Sequence, residues 1–189
     1  MRVFRVEVAP DQETLVHRHS QDYFVVTLGD SKVENHVQGK APVQLKFADG
    51  EVWFTPGNFA HSARNLAATP FRNVTIELKQ KGTLPEQVSL GAVTEAAPGV
   101  TARVVMVRDG VRVTEWTFAA GAILPQHTHA AGHLVVALSG LELKSIPEQG
   151  EARMVRQQAG DVVWVSGNLT HSLVNSGKNI ARYLIFEWK

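Results

Sequence analysis

Apolar and polar residues alternate in short runs from one end of the chain to the other. Residues 2–8 read Arg-Val-Phe-Arg-Val-Glu-Val and residues 111–117 read Val-Arg-Val-Thr-Glu-Trp-Thr. A period of two sends successive side chains to opposite faces of a strand. Further runs rich in Val, Phe, Trp and Thr lie between turn signals: Asp49-Gly50, Pro56-Gly57-Asn58, Pro98-Gly99, Arg108-Asp109-Gly110, Gly150 and Ser166-Gly167-Asn168. Asp109-Gly110, between residues 104–107 and 111–117, predicts a tight hairpin. No segment carries a convincing 3.6-residue apolar period. The predicted class is therefore all-β, built from many short strands as sandwiches and barrels are.

The pattern repeats. At a fixed offset of 110, residues 2–79 align with 112–189, with about 18 of 78 positions identical. Phe24-Val25-Val26-Thr27-Leu28 faces Leu134-Val135-Val136-Ala137-Leu138, and Pro56-Gly57-Asn58-Phe59-Ala60-His61-Ser62 faces Ser166-Gly167-Asn168-Leu169-Thr170-His171-Ser172. Asn65 matches Asn175, Arg72 matches Arg182 and Glu77 matches Glu187. Only residues 31–49 and 141–159 look unrelated, as expected of a hairpin tip. The expected organisation is two tandem jelly-roll barrels, an N-terminal one over residues 1–79 and a C-terminal one over 101–189, with 80–100 as connector.

Composition narrows the function. A hydrophobic share of 44% with 20% charged residues suits a soluble globular protein. The net charge is +1, with Lys and Arg scattered, so no nucleic-acid partner is expected. No run of about 18 apolar residues argues for a membrane span. The absence of cysteine excludes disulfides, thiolate metal sites and cysteine nucleophiles. The strand-like opening shows no signal peptide, which makes the cytoplasm the default compartment, with a lost leader as the open alternative. The four tryptophans, Trp53, Trp116, Trp164 and Trp188, are expected in the core.

Candidate chemistry lies in the histidines. Seven of the eight fall into the repeat: His17, His19 and His61 in the first copy, and His127, His129, His133 and His171 in the second. Imidazole is the commonest side-chain metal ligand. In a strand, residues two apart share a face, so His17 pairs with His19 and His127 with His129. Tyr23 and His133 keep the same parity. His61 and His171 each follow a tight turn and are expected to close the site from the opposite wall. By parity, Val25 and Thr27 face the first site, and Val135, Ala137 and Leu173 the second. Asn65 and Asn175 suit a turn or a supporting hydrogen bond, and Arg72, Arg182, Glu77 and Glu187 suit strand-end ion pairs. His36 reads as a surface residue. A P-loop, a dinucleotide fingerprint, a Gly-x-Ser-x-Gly elbow and a placed carboxylate base are all missing.

Gly121-x5-His127-x-His129-x3-His133-x6-Gly140 resembles the first cupin motif, with His where that family usually has Glu. Gly160-x5-Ser166-x-Asn168-x2-His171-x3-Asn175 and Gly50-x5-Pro56-x-Asn58-x2-His61-x3-Asn65 resemble the second. The first half's own first motif starts at Asp11 rather than Gly and has His17-x-His19-x3-Tyr23. The chain thus looks like a compact bicupin with an all-histidine variant of the metal motif. The resemblance implies up to two divalent transition metals per chain, Fe(II) favoured over Zn, Mn, Ni or Cu. His127, His129, His133 and His171 would bind one and His17, His19 and His61 the other. Tyr23 would line the pocket rather than ligate. It further implies a metal-dependent dioxygenase acting on a small enolisable or chelating organic substrate. The alternatives are a zinc-dependent cyclase, isomerase or lyase, and a non-enzymatic small-ligand-binding protein. A monomer or a homodimer fits this reading.

Overall fold

The computed structural model describes residues 1–84 and 90–188. Among the described residues the regular elements are all strands, and no helix is long and apolar enough to cross a membrane. The chain divides into two compact units, Met1–Gln80 and Lys81–Lys189.

The first unit has eight strands: β1 Arg2–Val8, β2 His17–His19, β3 Tyr23–Leu28, β4 Ser31–Val37, β5 Val43–Phe47, β6 Val52–Thr55, β7 Phe59–Asn65 and β8 Phe71–Glu77. They form two antiparallel four-stranded sheets, ordered β1-β8-β3-β6 and β2-β7-β4-β5. Each sheet mixes strands from both ends of the unit, which is jelly-roll strand order. Val8, Val33, Ala63 and Phe71, drawn from both sheets, form one core cluster with Val6 and Phe47 packed on it, while Phe24, Val26, Val74 and Ile76 are also fully buried.

The second unit has ten strands: β9 Val93–Ala97, β10 Val100–Arg108, β11 Val111–Phe118, β12 Ile123–His129, β13 His133–Ala137, β14 Leu141–Pro147, β15 Arg153–Gln157, β16 Val162–Val165, β17 Leu169–Asn175 and β18 Ala181–Trp188. Its sheets run β12-β17-β14-β15 and β16-β13-β18-β11-β10-β9. Strands β11 to β18 thus repeat the order of β1 to β8, with β10 and β9 added beyond β11. The predicted hairpin joins β10 to β11, with Asp109 at φ 50° and Gly110 at φ 68°. Two successive left-handed residues match the right-handed twist of the flanking strands. Of the expected connector, residues 85–89 lie outside the described residues, while β9 pairs with β10 in the second unit's larger sheet. The two unrelated middle segments are hairpins, β4–β5 and β14–β15.

Two short-range devices recur in both units. Asn65 is fully buried. Its Nδ2 donates to the carbonyls of Val8 at 3.0 Å and Thr69 at 2.8 Å, and its Oδ1 accepts from Ala67 N at 2.9 Å. Asn175 does the same with Phe118 O, Ala119 O, Asn179 O and Gly177 N, at 2.9–3.2 Å. One side chain thus ties the end of β7 or β17 to the end of the unit's first jelly-roll strand. The second device is the turn before β7 and β17. A Cβ on Gly57 would sit 2.5 Å from the backbone of Gln21, and one on Gly167 would sit 2.7 Å from Ala130 O. That closeness lets Asn58 N donate to His19 O at 2.7 Å and Asn168 N to Ala130 O at 3.3 Å. Asn58 and Asn168 have φ 69° and 58°, and Asp11 has φ 59° where Gly121 has 74°. Asn and Asp tolerate this left-handed region, which accounts for their standing where the motifs usually have glycine.

The expectation that all four tryptophans are core is corrected. Trp53 is 36% exposed and Trp164 50%, while Trp116 and Trp188 are half-buried. Trp53 and Trp164 lie on β6 and β16, the edge strands of their sheets, which no neighbouring strand covers on one side.

Replacing Asn175 by Ala removes four hydrogen bonds, one of them to the buried carbonyl of Phe118. It is expected to lower stability by roughly 2–4 kcal/mol, read from urea unfolding followed by tryptophan fluorescence. A loss below about 0.5 kcal/mol would show that water takes over those bonds.

Candidate metal centre

The antiparallel register places His17 opposite His61 on β2 and β7, and His127 opposite His171 on β12 and β17. His61 and His171 therefore sit beside the His-x-His pair in the same sheet, not on an opposite wall as expected. The reason is the docked turn, which delivers β7 and β17 alongside β2 and β12. The facing sheet contributes Tyr23 and His133 instead, from β3 and β13. In the first cluster the ring centroids stand 5.0 Å apart for His17–His19, 4.5 Å for His17–His61 and 5.3 Å for His19–His61. The second repeats this with 4.9, 4.6 and 5.4 Å. In each triad one nitrogen from every ring lies within 4.8 Å of the others.

The outer nitrogens are held. Nδ1 of His17 donates to Leu15 O, and Nδ1 of His127 to Pro125 O, both at 2.9 Å. Nδ1 of His61 bonds Asn35 Oδ1 at 2.6 Å, Nδ1 of His171 meets Ser145 Oγ at 2.8 Å, and Nδ1 of His19 bonds Glu77 Oε1 at 3.0 Å. Carbonyl and carboxylate oxygens only accept, so Nδ1 carries the hydrogen and Nε2 keeps its lone pair. Nε2 of His61 and of His171 are buried with no partner. Nε2 of His127 and His129 approach to 3.1 Å. Buried acceptors are normally satisfied. The orphaned Nε2 of His61 and of His171, converging with the other two rings of each triad and backed by a hydrogen-bonded Nδ1, fits a cation at each triad.

Electrostatics agree with ligand duty. His61, His129 and His171 are each held down to about 4, by burial first and then by the neighbouring imidazoles. They are neutral, and so able to ligate, across the physiological range. Burial also lowers His133. Its ring packs 4.3 Å from that of His129, outside the converging triad. Tyr23 is pushed up to about 12 by burial, opposed by a hydrogen bond with Thr55 and reinforced by Glu77. It stays a phenol, stacked on His19 at 4.1 Å.

One residue escaped sequence reasoning. Glu77 is 3% exposed and lies against the first cluster through His19, so a carboxylate does stand there. Its expected ion-pair role also holds, with Arg2 Nη2 at 2.6 Å from Oε2. Glu187 pairs with Arg112, Arg182 with Glu115 and Arg72 with Glu7. The available signal was that Arg2 recurs as Arg112 at the same offset as Glu77 and Glu187.

Each triad borders a cavity, about 480 Å³ in the first unit and about 410 Å³ in the second. Val25, Phe47, Trp53 and Phe59 wall the first; Val135, Leu143, Val155 and Leu173 wall the second. Thr27 and Ala137, expected there by parity, lie elsewhere. Thr27 Oγ1 donates to Ala48 O at 2.6 Å, and Ala137 is part of the second unit's core. His36, expected at the surface, is partly exposed between Glu13 at 3.3 Å and Glu34 at 2.8 Å.

No family model and no curated protein matches the chain. Solved structures do. AerE from Microcystis aeruginosa superposes with a TM-score of 0.70 at 14% identity, covering 97% of this chain and 85% of that one. Oxalate decarboxylase from Bacillus subtilis gives 0.66 at 15% identity, covering 99% of this chain and 67% of its own. A further structure of that enzyme, from a study of its Mn(II) centres, gives 0.67 at 13% identity over 99% of this chain and 68% of that one. At this identity the likeness shows the fold, the cupin jelly roll.

The depressed histidines set a pH dependence for the metal-free protein. Below pH 6.5 the unfolded chain takes up protons that His61, His129 and His171 refuse until about 4. Stability is thus unaffected above pH 6.5, falls between 6.5 and about 4, and levels off below that. Urea midpoints in chelator should drop from pH 7 to pH 5, and less steeply in a His129→Gln/His171→Gln double variant. A flat wild-type profile would contradict the buried, neutral triads.

Proposed function

We propose that this chain is a metal-binding bicupin. His17, His19 and His61 would hold one divalent transition metal, and His127, His129 and His171 a second. The observation that carries this reading is the paired set of orphaned Nε2 atoms on His61 and His171, each with its Nδ1 hydrogen-bonded to a side chain of the neighbouring strand. Bound ferrous iron would supply one-electron chemistry with O₂, and that makes the finer reading a dioxygenase for a small enolisable or chelating organic substrate.

The side chains around the triads suit such a substrate. The imidazoles bring no negative charge, so the ion's charge stays available to an enolate or a 2-oxo acid. Apolar walls exclude water from the cavity and strengthen that attraction. Tyr23, a phenol at neutral pH, can donate a hydrogen bond to an anionic substrate oxygen in the first pocket. His133, next to His129, is the corresponding polar group in the second.

A second reading rests on ligand count. Three imidazoles converge in the second unit where four were expected, and three histidines with an open position also suit a zinc site acting as Lewis acid. That reading gives a cyclase, isomerase or lyase for similar substrates.

Elemental analysis of protein purified without an affinity-metal column should find two equivalents, with one lost in His17→Ala and one in His127→Ala. An oxygen electrode then separates the readings. Ferrous-loaded protein should consume O₂ with a β-diketone, 2-oxo acid or flavonol-like enol, and His127→Ala should reduce this at least about 100-fold. Turnover unchanged under argon would sink the dioxygenase reading and favour the redox-neutral one. A folded protein that takes up no divalent metal would overturn both.

A further inference from the structure

In the first cluster a carboxylate absent from position 23 stands one strand away. Tyr23 on β3 is in register with Glu77 on β8. Glu77 Oε1 accepts the Nδ1 hydrogen of His19 at 3.0 Å, and the side chain is buried. The second unit repeats the residues but not the contact. His133 is in register with Glu187, yet Glu187 Oε2 accepts a hydrogen bond from Arg112 Nε and pairs with its Nη2, both at 2.9 Å. Nδ1 of His129 has no partner among the described residues. The other two imidazoles are backed alike in both units, His17 and His127 by a backbone carbonyl, His61 and His171 by a neutral polar side chain. The triads therefore differ in the backing of one ring.

We propose that Glu77 is the positioning residue of the first centre, and that through His19 it makes that centre the tighter of the two for a divalent cation. This rests on reading both triads as metal centres. A carboxylate behind an imidazole fixes the tautomer and ring orientation and raises the basicity of the nitrogen facing the ion. It also brings a negative charge near the cation in a buried, weakly screened place. Arg2 offsets part of that charge from the far oxygen, but its side chain is 51% exposed and its field is accordingly screened. His133 is the opposing influence. It packs on His129 where the first unit has a phenol, and a turn of its ring onto the cation would add a ligand to the second centre.

Zn²⁺ titration of the full chain against a competing chelator tests this, with His17→Ala and His127→Ala assigning the two binding steps. The first centre should bind about 10–100-fold more tightly than the second, and Glu77→Gln should weaken it by about that factor. Glu187→Gln should leave both steps within about threefold. Long-range ¹H–¹⁵N spectra of the metal-free protein supply a readout that packing alone would not move. His19 should be the Nδ1–H tautomer in the wild type and a mixture in Glu77→Gln. Should Glu77→Gln fail to fold, Glu77→Asp keeps the charge, withdraws it from His19 and should also weaken the first step. Unchanged first-centre affinity in these variants overturns the inference alone. So does a second centre that is the tighter one and weakens in His133→Tyr. No Zn²⁺ uptake by the folded wild type overturns the metal reading, and this inference with it.

Discussion

The chemistry of both clusters turns on which nitrogen of each imidazole carries the hydrogen. A neutral imidazole has one donor and one acceptor, and a ligand must present the acceptor. Here the outer face of the rings meets oxygens from the chain itself: Leu15, Pro125, Asn35, Ser145 and Glu77. Those oxygens are supplied by backbone two residues upstream, by a neighbouring strand or, for Glu77, by the facing sheet, and wherever the oxygen can only accept the fold sets the tautomer. Without them His61 and His171 could turn and pair their remaining nitrogens, as His127 and His129 do with each other at 3.1 Å. With them, Nε2 of His61 and His171 is left buried and unpaired, a cost that folding alone does not explain.

Three levels of structure deliver the rings to that place. The two-residue period of β2 and β12 puts each His-x-His pair on one face. The register with β7 and β17 puts His61 and His171 directly across from the first of each pair. The register in turn is fixed by the docked turns, where Gly57 and Gly167 approach the backbone too closely for any side chain. Asn65 and Asn175 then anchor the far ends of the same strands. The site is thus the middle of a strand pinned at both ends. Facing side chains are free to differ, as Tyr23 and His133 do.

Much of this was legible in the sequence. Alternation gave the strands, Asp109-Gly110 gave its hairpin, and the 110-residue offset matched the two jelly-roll strand orders. Both histidine triads were visible as spacing. What spacing does not carry is pairing between distant strands. Parity says that His17 and His19 share a face, but only the ladder says that His61 is their neighbour rather than their opposite. The same gap hid Glu77, 58 residues from its partner His19. Parity also overreached at Thr27 and Ala137, since facing inward does not decide whether a side chain reaches a cavity or stops in the core. The tryptophans misled because hydrophobic bulk says nothing about sheet edges, where Trp53 and Trp164 stand.

The internal repeat makes the two halves controls for each other. Positions that match are those a strand-borne triad needs: the histidines, the close-approach glycines, the left-handed asparagines and the tying asparagines. Positions that differ near the rings exchange one neutral polar group for another. A phenol at position 23 answers an imidazole at 133, and an amide at 35 answers a hydroxyl at 145. Glu77 and Glu187 are the same residue at the same register position, yet one turns to an imidazole and the other to an arginine. Identity at the level of sequence is therefore compatible with different electrostatics at the two clusters. Any division of labour between the halves has to arise from such rotations and from the residues on the facing sheet, because the triads themselves match in kind and spacing and differ only in the backing of one ring.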